Sequence, residues 1–303
     1  MSFLHSLYAY IIRQSKHTYD PQRPPDYQAR RIAEETQGKA NSRLPRGILA
    51  TPIHLNGVRG ELLQGAGSAD NLLFLYLHGG GFVGGSYATK RMFTGFLADM
   101  FHCPVAAIDY RLAPEFPYPA AVDDCFAAYQ ALCSRYAQVV LVGESAGGNL
   151  VLATALRAMD ANLKLPAAVI ALSPATQFSA DLASYRRNAK TDCMVNENLN
   201  LEVRNTYLRG VDLKNSAYAE PLYRELSGFP PTFISVSGSE VLLDDSILFY
   251  QKLRDSGVSC KLDVMPRLMH AFAIFPQFPE SRQVWNEIRD WLYSSIKADS
   301  RPL

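Results

Sequence analysis

The chain has 303 residues, 48% of them apolar, with 30 basic and 29 acidic side chains and a formal net charge of +1. That length and apolar share suffice for one large α/β core, and the balanced charge excludes a broad electrostatic footprint for nucleic acid. The five cysteines, Cys103, Cys125, Cys133, Cys193 and Cys260, form no C-x-x-C pair and lie mostly in apolar segments, so they read as reduced thiols of a cytoplasmic protein, with no metal-ligating cluster.

In chain order, Met1 to Ile12 carries Phe3, Leu4, Leu7, Tyr8, Ile11 and Ile12 at helical spacing. The segment is too short to span a membrane and lacks the small-residue cleavage site of a secretory signal. It is expected to pack as a helix over the active site; lying flat on a membrane surface is the alternative. Pro21, Pro24 and Pro25 then separate it from a second helix near residues 26–37. Ile48 to Leu55 and Val58 to Leu63 read as a hairpin around Asn56-Gly57, a strong two-residue turn signal.

The apolar strand 72–77 runs into His78-Gly79-Gly80-Gly81-Phe82. Backbone N–H groups of a glycine-rich loop can point at a developing oxyanion without side chains in the way. The same letters satisfy G-x-G-x-x-G at Gly79, Gly81 and Gly84, but Asp99 falls inside an expected helix and Asp109 comes later, so the acidic residue of a dinucleotide site is missing. A helix near 88–101, a strand at 105–109 and a helix near 119–133 follow. Arg111 and Glu115 read as a turn brace, and Asp123 and Asp124 suit the first half of a helix.

Gln138 to Val142 is a short apolar strand that breaks into Gly143-Glu144-Ser145-Ala146-Gly147-Gly148 and then a helix-compatible run, 146–160. Strand, G-x-S-x-G and helix in that order are the context of a nucleophile elbow, in which a sharp turn lifts the serine hydroxyl above the sheet edge. Ser145 is therefore the candidate nucleophile, and the amide of Ala146, with those of Gly80 and Gly81, a candidate oxyanion donor.

A serine hydroxyl needs a base, and the base needs an orienting group. Hydrolases with this elbow order these residues serine, acid, histidine, and of six histidines only His270 follows Ser145. For the acid, strand 232–237 ends in Gly238-Ser239-Glu240-Val241-Leu242-Leu243-Asp244-Asp245. Glu240, nearest the strand end, is preferred. Asp244 and Asp245 are rivals that would equally suit the first turn of a helix over 243–256. Strands near 167–172 and 259–265 and a helix near 281–296 complete an alternation that implies a mostly parallel sheet covered on both faces. The stretch of about 177–228 is too long for an ordinary connection and is expected to hold a second cap piece, with a helix near 197–208.

These motifs resemble the hormone-sensitive-lipase-like bacterial esterases of the α/β-hydrolase fold. The likeness rests on His78-Gly79-Gly80-Gly81, on Asp109-Tyr110-Arg111-Leu112-Ala113-Pro114-Glu115, on the elbow and on His270-Ala271-Phe272, and covers roughly residues 45 to 298. It implies an eight-stranded sheet, an N-terminal helical cap over 1–44 and a catalytic domain over 45–303. By position it implies Ser145 as nucleophile, His270 as base, Glu240 as acid and Gly80, Gly81 and Ala146 as oxyanion donors. Apart from the resemblance, Phe82 and Tyr110 are candidate substrate contacts, against packing as the commoner role of an aromatic side chain. The chain departs from the family in Glu144, where Asp or Thr is usual, in Glu240-Val241-Leu242 for Asp-Pro-Leu, and in Ala271 for Gly.

The expected activity is hydrolysis of short- to medium-chain acyl esters with no cofactor and no metal. A small-molecule ester is the partner, and the resemblance adds a homodimer joined at an edge strand. A deacetylase or amidase of the same chemistry is the alternative. A ligand receptor on the same scaffold is the other, although such receptors typically lack the base that His270 would supply.

Overall fold

The computed structural model describes residues 2–14, 16, 19–40, 43–69, 71–213 and 216–299. Met1, His17 and the last residues of the expected catalytic domain, 300–303, lie outside the described residues. Helix α1 (Phe3–Gln14) and α2 (Tyr27–Ala40) precede a hairpin of β1 (Ile48–Leu55) and β2 (Val58–Gly65). Then come β3 (Leu72–Leu77), α3 (Arg91–Phe101), β4 (Val105–Ile108), α4 (Ala120–Cys133), β5 (Gln138–Glu144), α5 (Ala146–Asp160) and β6 (Ala168–Leu172). The chain continues through α6 (Ala183–Arg187), α7 (Leu199–Asn205), β7 (Thr232–Ser237), α8 (Leu243–Asp255), β8 (Cys260–Met265) and α9 (Pro279–Asp299).

The strands form one eight-stranded sheet in the order β1-β2-β4-β3-β5-β6-β7-β8. The β1/β2 and β2/β4 pairs are antiparallel and all others parallel. The parallel centre has the composition its position demands: β3, β6 and β7 are buried along their whole length, because helices cover both faces. Alternate side chains serve opposite faces. Leu73, Leu75 and Leu77 join the core beneath α4, α5 and α8, while Leu72, Phe74 and Tyr76 join the second core beneath α3 and α9.

Two expected helices differ from what is observed, each for a physical reason. The run near 88–101 is a 3₁₀ turn at Ala88–Lys90 followed by α3, since Lys90 leaves the helical region (φ −110°, ψ 6°). Between β6 and β7 the helix expected near 197–208 is the shorter α7, and α6 has no counterpart in the sequence reading. The amide of Ser184 in α6 is capped from afar by Asp244 Oδ2 at 2.8 Å, so no local start signal exists. No helix among the described residues is long and apolar enough to cross a membrane.

Candidate active site

β5 and α5 meet at Ser145, whose φ of 58° and ψ of −117° place a non-glycine residue in a sparsely populated region. Such a conformation costs on the order of 1–3 kcal/mol and persists only where its surroundings enforce it. Here they do. A Cβ on Gly143 would stand 2.3 Å from the Gly147 carbonyl oxygen, and one on Gly147 would stand 2.0 Å from that of Leu77, so only hydrogen fits at either position. The Ser145 amide donates to Leu172 O at 2.9 Å and its carbonyl accepts the Asn149 amide at 3.0 Å. The turn is thus held by β6 on one side and by the first turn of α5 on the other.

The glycine loop leaves β3 beside this elbow. Gly80 (φ 133°) and Gly81 (φ 64°) occupy backbone regions that side chains avoid, and Gly80 O accepts the amides of Val83 and Gly84 at 3.2 and 3.0 Å. No acceptor among the described residues takes the N–H of Gly80, Gly81 or Ala146. His78 is packed into the base of this loop: its Nδ1 lies 2.9 Å from Gly79 O, its ring stacks on Tyr110 at 4.2 Å, the Tyr110 hydroxyl donates to His78 O at 2.6 Å, and burial pushes the imidazole down to about 4. His78 is therefore a neutral support for the loop. Behind it opens a cavity of about 640 Å³ lined by Glu34, Arg59, His78, Asp109 and Tyr110 but by none of Ser145, Glu240 and His270.

His270 sits past the end of β8, fully buried, with Nδ1 2.9 Å from Glu240 Oε1. Burial alone would lower the pKa of His270; the adjoining Glu240 carboxylate outweighs it and holds the imidazole above its ordinary value of 6.5. Glu240 is itself wholly enclosed, and its Oε2 accepts the Ser173 hydroxyl at 2.8 Å and the Ser237 amide at 2.9 Å. Ser173 Oγ in turn accepts the Ala271 amide at 3.1 Å. Leu172 therefore holds Ser145, and the next residue holds the segment after His270, so the elbow and the histidine loop converge at the carboxyl end of β6.

The rival carboxylates are engaged elsewhere. Asp244 caps α6 and pairs with Arg187 at 2.9 Å. Asp245 accepts the amides of Thr176 and Gln177 and the Thr176 hydroxyl, and burial pushes its carboxyl up to about 7. Phe82 is 1% exposed, stacked 3.9 Å from Tyr207 with the rings 3° apart and edge-on to Phe178. The brace residues pair as Arg31 with Glu115 and Arg111 with Asp124.

Three contacts had no signal in the sequence. Ser173 follows a strand in no recognisable motif. Glu144, within the elbow, is buried, its Oε2 accepting the Tyr76 hydroxyl at 2.6 Å and its Oε1 forming an ion pair with Lys90 Nζ at 3.1 Å. His5 of α1 accepts the Met269 amide on Nε2 at 2.9 Å. No group of three or more His, Cys, Asp and Glu among the described residues could hold a metal ion.

Comparison with known proteins bears on the fold and the family. Residues 74–274 match the family model described as alpha/beta hydrolase fold. The chain is 35% identical over 248 residues to an esterase of Acinetobacter venetianus, covering 80% of this chain and 81% of that protein. It is 36% identical over 263 residues to the carboxylesterase/phospholipase LipF of Mycobacterium tuberculosis, covering 81% and 70% respectively. A solved esterase of the bacterial hormone-sensitive lipase family superposes with a TM-score of 0.89 at 34% identity, over 98% of this chain and 99% of that one.

Proposed function

Since the chain belongs to the hormone-sensitive-lipase-like esterases of the α/β-hydrolase family and is a carboxylic ester hydrolase, we propose that Ser145, His270 and Glu240 carry the reaction on short- to medium-chain acyl esters. The observation that supports this most is the buried 2.9 Å contact of His270 Nδ1 with Glu240 Oε1, together with the positive φ of Ser145 at the turn between β5 and α5. A carboxylate only accepts, so Nδ1 carries the proton and Nε2 keeps its lone pair.

Nε2 takes the proton of Ser145 Oγ as the oxygen attacks the ester carbonyl carbon, and Glu240 stabilises the imidazolium that forms. Negative charge gathers on the carbonyl oxygen, where the amides of Gly80, Gly81 and Ala146 receive it. Each such donor is worth about 3 kcal/mol in the barrier. Collapse expels the alcohol with the proton from His270, leaving an acyl-Ser145 ester. Water, deprotonated by the same nitrogen, then attacks that ester and releases the acid. The conformational cost at Ser145 is met by the close packing of Gly143 and Gly147, so the hydroxyl is already oriented when substrate arrives.

We also read α1, α2 and the segment 177–228 as cap elements, with Phe82 on the substrate side of the glycine loop. The free state of all five cysteines supports a cytoplasmic setting, and the place of β8 as an edge strand of the sheet supports a homodimer. A fluorophosphonate probe followed by peptide mass mapping tests the central assignment: label is expected on Ser145 in the wild type, greatly slowed in His270→Ala. Label on another serine, with turnover intact in Ser145→Ala, would overturn it. Rates across acetyl, butyryl, octanoyl and palmitoyl esters, set against the matching anilides, test the chain-length and ester readings.

A further inference from the structure

The loop Leu268-Met269-His270-Ala271 is held by a separate side chain at each residue around the histidine. Ser237 Oγ donates to Leu268 O, and the Ala271 amide donates to Ser173 Oγ at 3.1 Å. Both of those serines stand at strand ends of the sheet. The remaining tether comes from the other end of the chain, where the Met269 amide donates to His5 Nε2 at 2.9 Å.

His5 is built into this place. It is 1% exposed and lies edge-on to Phe278 at 5.4 Å. Its helix is fixed at the start by Ser2, whose amide and hydroxyl both bind the Glu280 carboxylate. Nearer its end, Arg13 donates to Thr191 O at 3.1 Å. A backbone amide can only donate, so His5 must offer Nε2 as an unprotonated acceptor and carry its proton on Nδ1. Burial, opposed by Glu280, lowers the imidazole below its ordinary value of 6.5 and keeps that acceptor available at neutral pH.

We infer that His5 is a positioning residue for the base: through the Met269 amide, α1 fixes the orientation of the loop that presents His270 to Ser145. The inference rests on the reading of His270 as general base. It extends that reading to a residue that never touches substrate. Loss of the acceptor would leave a buried amide unpaired beside His270 and let the ring drift from its attack geometry. Such drift lowers kcat rather than KM, because substrate still binds.

The test uses the full chain with His5→Phe, which keeps a ring against Phe278 but has no acceptor, and His5→Gln, whose Oε1 reaches near the place of Nε2. His5→Phe is expected to lower kcat on p-nitrophenyl butyrate roughly tenfold, with KM within about twofold, and to lose exchange protection of the Met269 amide. His5→Gln is expected to regain most of both. The wild type supplies a reading that needs no variant: ¹⁵N NMR should show His5 as the Nδ1–H tautomer with Nε2 hydrogen-bonded. An Nε2–H tautomer, an unchanged kcat in His5→Phe, or equal losses in the Phe and Gln variants would each overturn the inference. His270→Ala is run alongside. Full turnover in that variant would sink the base assignment itself, whereas an inactive His270→Ala beside an unimpaired His5→Phe would sink only the role of His5.

Discussion

Ser173 donates its hydroxyl proton to Glu240 Oε2 at 2.8 Å while its oxygen accepts the Ala271 amide at 3.1 Å. One side chain therefore sets both the carboxylate and the loop of the imidazole it faces. Ser173→Ala is expected to lower kcat roughly tenfold by removing two buried hydrogen bonds of about 1 kcal/mol each, with KM little changed. Steady-state kinetics on p-nitrophenyl butyrate check this, and a change confined to KM would contradict it.

The assignment of the acid separates two neighbouring carboxylates. Glu240→Gln should cut kcat by a factor on the order of 10²–10⁴, because a neutral amide cannot stabilise the imidazolium. Asp244→Asn loses a half-exposed pair with Arg187 while its amide oxygen keeps an acceptor for the Ser184 amide, so it costs at most about 1 kcal/mol of stability and should keep kcat within about twofold. A larger kinetic loss in Asp244→Asn than in Glu240→Gln would reverse the assignment.

His270 must be neutral to take the serine proton, and its pKa is raised by Glu240, with Asp192 and Glu144 adding to the effect against burial. The acid limb of kcat/KM is therefore expected above the ordinary imidazole value of 6.5. In Glu240→Gln, burial is left with its main opponent gone, and the limb should move to lower pH. The linked stability runs the other way. A raised histidine pKa favours folding below the unfolded value of 6.5, and that contribution fades as pH rises through the folded value. Rate profiles and thermal melts on wild type and Glu240→Gln should show activity rising where this part of the stability falls.

Asp245 offers a stability test away from the chemistry. Its carboxyl is raised from 3.8 to about 7 by burial, so the folded state holds the proton more tightly than the unfolded chain. Ionisation then penalises folding progressively between those two values. Asp245→Asn keeps an acceptor for the amides of Thr176 and Gln177 and cannot ionise. Its melting temperature relative to wild type should rise from about pH 4 to pH 7 and level off above. A difference flat across that window would show that the carboxyl titrates normally.

Two glycines should fail in different ways. Gly147→Ala meets backbone oxygens of Leu77 and His78 at 2.0 and 2.6 Å, so β3 and α5 would have to separate, and a loss of soluble, folded protein is expected. Gly80→Ala meets Gly84 O at 2.3 Å at a φ of 133°, a collision within one loop. Folding should survive with a smaller drop in melting temperature, while kcat falls by about 10²–10³ as the oxyanion donors are displaced. Melting curves and kinetics on the pair check the contrast.

The sheet was legible because a parallel strand buried on both faces tends to be apolar along its length: β3 and β6 are apolar from end to end, while β7 is buried throughout but mixes Thr232, Ser235 and Ser237 with its apolar residues. The elbow was legible because only glycine can flank its serine. His270 was legible by chain order, yet the same rule set His5 aside, since nothing in sequence ties residue 5 to the amide of residue 269. α6 was hidden because its cap, Asp244, lies far along the chain. The set of buried Glu144 and Tyr76 with the partly exposed Lys90 was hidden likewise: an ion pair at a turn leaves no periodicity to read. Local physics marks its residues in the sequence, whereas contacts made by folding alone do not.

The pairing of Leu77 with Gly143, of Glu144 with Leu172 and of Ser237 with Met265 has a bearing on how such a chain can vary. His78, Ser145, Ser173 and the turn before Glu240 each begin where a strand runs out, so their heights above the sheet are counted in residues. Swapping one aliphatic side chain for another leaves that count intact. Deleting or inserting a single residue in β3, β5, β6 or β7 would shift a whole strand by about 3.3 Å and reverse its two faces. In these four strands, length is inherited more strictly than spelling.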